Sequence, residues 1–157
     1  MKRLSSQILR SLSLVAALGL GGTMATKGWA ADYVVLINKA NPTELSGDAA
    51  VDTIRQLYLK ELSNWPNGLH ADPFAREGGS PAQTAFINNV LKMSPTAVTD
   101  HWTRVKQTKG ETPPREVGSE RILFRLIGKF EGGFAVVSAE EAASAPDTVK
   151  VLLTFSD

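Results

Sequence analysis

The stretch from Phe74 to Phe86, F-A-R-E-G-G-S-P-A-Q-T-A-F, constrains the chain more than any other. An extended segment ends at Arg76-Glu77, two glycines follow, and Ser80-Pro81 opens a helical run. Glycine takes φ > 0 without steric cost and lets a ligand approach the backbone. Serine suits an N-cap and proline the first helical position. A helix start carries free N–H groups and a partial positive charge, so it suits an anion. Arg76 adds a permanent charge and a planar fork of donors matched to oxyanions. The sequence therefore predicts a strand-turn-helix unit in which Arg76, Gly78, Gly79 and Ser80 frame a small oxyanion site.

Residues 1–30 read as a cleaved secretory signal. Met1-Lys2-Arg3 and Arg10 form a basic start, Leu12 to Leu20 an apolar core, and Gly28-Trp29-Ala30 a small-residue cleavage site. The apolar run is shorter than a membrane-spanning helix requires. The expected mature chain is residues 31–157, one domain exported to the periplasm or beyond, with no membrane insertion after cleavage. Four of the 17 basic residues lie in the signal, which leaves 13 against 16 acids, a balance of −3. That balance is unsuited to nucleic acid. With no cysteine, neither disulfides nor thiol chemistry is available.

Tyr33-Val34-Val35-Leu36-Ile37 is continuously apolar, as in a strand buried on both faces. Val51, Ile54, Leu57, Tyr58 and Leu62 fall on one helix face. Leu69 to Ala75 reads as a short strand, placed at an edge by Pro73. Ala82, Phe86, Val90 and Met93 form a second helix face, and Ser94-Pro95 caps a third helix through Val98, His101, Trp102 and Val105. Thr108 to Gly118, with Pro113-Pro114, reads as irregular. Ser119 caps a helix through Phe130; strands follow at Phe134–Val137 and Val149–Phe155, with a short helix or turn between them. Helices alternating with strands predict an α/β fold with a mostly parallel sheet flanked by helices.

Nucleophile, nucleotide-binding and phosphate-loop signatures are absent from the sequence, and His70, Asp72 and His101 follow no metal-ligand spacing. No enzyme, cofactor or metal is expected. In open α/β sheets ligands bind beyond the carboxyl ends of the strands. That rule adds Asn38 after the first strand and Ser138 after the third to Arg76, Gly79 and Ser80 as anion-binding residues. Gly78 and the helix cap Ser119 are further candidates. Glu140-Glu141 reads as a solvated charge pair.

An ordered set of motifs carries a family resemblance: W-P-N-G at Trp65, the R-E-G-G-S turn, His101-Trp102, P-P-R-E-V at Pro113, and G-G-F-A-V-V-S with V-K-V-L near the end. The chain resembles the periplasmic phosphate-binding proteins of ABC transporters over about Asp32 to Phe155. The resemblance implies a single lobe of a type II periplasmic-binding-protein-like fold, covering residues 31–157. It implies phosphate or a similar small oxyanion as ligand. An ABC permease, a sensor or a second lobe-like chain is the implied partner. In that family the anion turn reads Arg-x-Asp-Gly-Ser-Gly-Thr. Arg76, Gly79 and Ser80 match it, whereas Gly78, Pro81 and Ala82 stand where the family has Asp, Gly and Thr. The alternative is an interaction or sensor module that keeps the lobe without transport.

Overall fold

A computed structural model describes residues 32–157. The predicted signal and its cleavage site lie outside the described residues. Five strands, β1 (Tyr33–Asn38), β2 (Asp72–Ala75), β3 (Arg115–Glu116), β4 (Gly133–Ser138) and β5 (Val149–Phe155), form one sheet in the order β3-β2-β4-β1-β5. Helices α1 (Gly47–Tyr58), α2 (Pro81–Phe86), α3 (Pro95–Lys109), α4 (Glu120–Lys129) and α5 (Ala139–Ala142) flank it.

The apolar run of β1 is buried on both faces, as its composition predicts. Val35 and Ile37 join Phe134, Val136 and Leu153 in a core closed by Ala50, Ile54 and Leu57 of α1 and by Phe86 of α2. Val34 and Leu36 point the other way and join Ala135, Val137 and the α4 residues Leu123, Phe124 and Ile127. The period-two alternation of a strand thus feeds two cores from one uninterrupted run.

Four strands share a direction and β1 is reversed, so the sheet is mixed and not mostly parallel: β2 pairs in parallel with β3 and β4. β1 pairs antiparallel with both β4 and β5, placing Tyr33 opposite Ser138 and Phe155, and Asn38 opposite Val149. A doubly buried strand has the same apolar pattern in either direction, so sequence pattern is blind to this reversal. β2 is not at the edge. Arg115-Glu116 of the Pro-Pro loop pair in parallel with Phe74-Ala75 and cover it. Pro73 is accommodated because β3 engages only those two residues.

Capping follows the sequence. Ser94 Oγ accepts from Ala97 N–H and Ser119 Oγ from Ile122 N–H. The helix after Ser80 is less regular than its apolar spacing suggests: α2 runs into a π-helical turn, Ile87–Leu91. Asn89 Nδ2 donates to the Ala85 carbonyl at 3.0 Å, the acceptor an α-helix reserves for the Asn89 N–H.

Candidate functional site

β2 ends in a β-turn in which Ser80 N–H donates to the Glu77 carbonyl at 3.1 Å. Gly79, at φ +84, occupies the third turn position, where a positive φ is required. Ser80 Oγ then accepts from Gln83 N–H at 3.3 Å. Two donors expected to face an anion are therefore used internally, and Pro81 has none. Thr84 N–H, too, is used, donating to the Ser80 carbonyl at 3.0 Å, so the start of α2 is largely self-satisfied. The charge in this corner rests on Arg76 and not on the helix start.

Arg76 is only 9% exposed. Its backbone N–H donates to Gln83 Oε1 at 2.9 Å, and Gln83 Nε2 donates to the Tyr58 hydroxyl at 3.0 Å. Burial pushes the Tyr58 phenol up to about 12; the Gln83 bond lowers it and Glu116 adds to the rise. Arg76 Nη2 donates to Glu141 Oε1 at 2.7 Å, while Nε and Nη1 are buried and meet no acceptor. Glu141 is held in turn by a capping box. Its Oε2 accepts from Ser138 N–H at 2.9 Å, and Ser138 Oγ accepts from Glu141 N–H at 3.1 Å.

The fold brings three of the expected residues together. Arg76, Ser80 and Ser138 line one open cavity of about 540 Å³, with Asp32, Glu140 and Glu141 on its walls. Gly79 shapes the turn beside it, and Gly78 faces a neighbouring chamber. Ser119 follows β3 at the same end of the sheet. A Cβ on Gly118 would sit 2.3 Å from Glu77 Oε1, so this loop presses on the turn. Ser119 itself is exposed, caps α4 and does not line the cavity.

Asn38 is a correction. Because β1 is reversed, Asn38 emerges at the opposite end of the sheet from Ser138. Its buried Nδ2 lies 2.9, 3.0 and 3.1 Å from the carbonyls of Ile127, Gly128 and Phe130, closing the C-terminus of α4. Reading Glu140-Glu141 as a solvated pair missed Glu141, the direct partner of Arg76. The S-A-E-E spacing at Ser138 is a capping-box signature that marks Glu141 as turned inward. His101, considered for metal, donates from Nε2 to the Leu59 carbonyl at 2.8 Å. Among the described residues no cluster of potential metal ligands forms.

The fold is that of one α/β lobe of a periplasmic substrate-binding protein. Solved structures that the chain superposes on include phosphate-binding proteins of ABC transporters. A candidate phosphate ABC transporter substrate-binding protein from Clostridium perfringens, solved with bound phosphate, superposes with a TM-score of 0.57 at 16% identity, over 78% of this chain and 45% of that one. The ABC-type phosphate transport receptor of Vibrio cholerae gives 0.54 at 15%, over 78% and 45%. PstS from Borrelia burgdorferi gives 0.56 at 8%, over 81% and 49%. The chain thus spans less than half the length of each. Neither a family model nor a curated protein matches it.

Proposed function

We propose that this protein is a periplasmic small-oxyanion binder with phosphate as its ligand, acting as a substrate-binding component of an ABC transporter. The observation that carries this reading is the state of Arg76. A guanidinium removed from water with two nitrogens lacking acceptors is costly, and an oxyanion at the β2–α2 corner supplies acceptors suited to it once the guanidinium turns out from Glu141. The phosphate bound to the Clostridium perfringens neighbour supports the choice of ligand for a chain of this fold. Arg76 carries the charge, Ser80 and Ser138 line the same cavity, and Gly79 sets the turn.

Calorimetric titration with phosphate and with sulfate tests the proposal. Binding in the wild type that is lost in Arg76→Ala supports it; no heat at millimolar ligand rejects it. Export through the predicted signal is checked by mass spectrometry of the periplasmic fraction, with a mature N-terminus at Ala31 expected.

A second reading draws on Glu141. Three acidic residues, Asp32, Glu140 and Glu141, line this cavity with Arg76, and Glu141 already engages it. That balance favours an interaction or sensor module which has kept the lobe without transport. Retention of a periplasmic partner by protein that shows no anion binding distinguishes it from the first reading.

A further inference from the structure

Beside the oxyanion cavity lies a second chamber of about 420 Å³, between α3, the Pro-Pro loop and the end of β2. Its walls are apolar: Ile87 from the π-helical turn, Val98 and Trp102 from α3, and Pro113-Pro114 from the loop. Trp102 is 6% exposed yet belongs to neither core. A large aromatic ring buried beside a cavity, and not within a core, offers its surface to whatever enters.

The chamber also has polar anchors. Tyr58 is among its lining residues; the hydroxyl accepts from Gln83 and has no acceptor for its own proton among the described residues. Burial keeps this phenol protonated well above neutral pH, so it is a donor. The charged residues of the lining are Arg76, Lys106 and Glu116. Arg76 lines both this chamber and the oxyanion cavity, so the two adjoin at its side chain or backbone. Lys106 and Glu116 are exposed and opposite in charge, which leaves Arg76 as the buried charge of the chamber.

We propose that this chamber is a binding site for the aromatic body of an aryl phosphate monoester, whose phosphoryl oxygens face Arg76 while its ring sits among Trp102, Val98 and Pro113-Pro114. The proposal rests on the oxyanion reading of Arg76 and extends its ligand from an inorganic anion to an organic one.

The test titrates phenyl phosphate and inorganic phosphate separately, reading heat and tryptophan fluorescence. Trp65 is buried in the core with Nε1 bonded to the Gly132 carbonyl, so a ligand-dependent change in the described fold reports Trp102. Phenyl phosphate is expected to bind at least about tenfold more tightly than phosphate, which is about 1.4 kcal/mol. Thr103 is an exposed position of α3 that also lines the chamber. Thr103→Phe fills the space from this exposed position, and is expected to abolish the aryl preference while leaving phosphate affinity unchanged. Trp102→Leu should reduce the same preference. Equal affinities for the two ligands, or a preference that survives Thr103→Phe, overturns the aryl site and leaves the oxyanion reading standing. If neither ligand binds, both readings fall. Benzyl alcohol binding as tightly as phenyl phosphate overturns the placement of the phosphoryl group at Arg76.

Discussion

Arg76 and Glu141 set the chemistry of the corner, and they pull in opposite directions. The carboxylate satisfies one guanidinium nitrogen and leaves two without acceptors. It therefore stands where an incoming oxyanion competes. Glu141→Gln keeps the capping box, because glutamine serves at that position as glutamate does. It removes a negative charge from the cavity, and phosphate affinity measured by calorimetry is expected to rise about three- to tenfold. An unchanged or weaker affinity contradicts competition by Glu141. A buried cation with one of its three nitrogens paired also adds little net stability. Arg76→Met leaves the part-buried Glu141 carboxylate without its partner, so it is expected to lower ligand-free stability by about 1–3 kcal/mol in urea unfolding while eliminating anion binding. Tyr58 adds a pH signature. Its folded value of about 12 lies above the ordinary 10. The unfolded chain then loses this proton first, and stability falls as pH rises from about 10 to about 12. Below that window Tyr58 contributes no pH dependence. Tyr58→Phe should remove this slope from the pH dependence of the urea midpoint. It should also cost about 1 kcal/mol for the Gln83 bond left unmade.

At the scale of elements, direction mattered more than type. Strands and helices were legible from periodicity and capping residues: Ser80-Pro81, Ser94-Pro95 and Ser119 each begin the helix they announce. The reversed β1 was not legible, because an uninterrupted apolar run carries no arrow. That single reversal moves Asn38 from the expected ligand loops to the C-terminal carbonyls of α4. Asn38→Ala tests the reassignment. It should destabilise the fold by about 2 kcal/mol in urea unfolding, by leaving helix-terminal carbonyls without their donor. It should leave phosphate affinity unchanged, whereas loss of binding in a folded variant would return Asn38 to the site. The two-residue β3 was equally hidden, since Pro113-Pro114 hides a pairing that only the neighbouring β2 edge defines.

For the whole molecule, the lobe places its candidate site on an open corner. A lobe by itself covers one side of a ligand, so water competes for the polar contacts and binding is expected to be modest. Coupling to stability still makes it measurable. At phosphate one hundred times its Kd, the unfolding free energy should rise by about 2.7 kcal/mol. That rise appears as a higher Tm in scanning calorimetry, absent in Arg76→Ala. A phosphate-independent Tm in the wild type under saturating conditions would count against the site. Among the described residues no helix is long and apolar enough to cross a membrane.

The sequence by itself determined the α/β class, the helix starts and the strand-turn-helix unit around Arg76, because those depend on spacing and on local backbone preference. It also placed Arg76, Ser80 and Ser138 at the ends of elements, where they meet. Only the tertiary structure decided that Asn38 leaves that group and Glu141 joins it. The reason is physical: strand direction and ion-pair choice depend on contacts between residues far apart in the chain, 65 positions in the case of Arg76 and Glu141. The Phe74–Phe86 stretch is accordingly a turn whose helix start is largely self-satisfied, with its charge in one buried arginine shared between a carboxylate and two unmet donors.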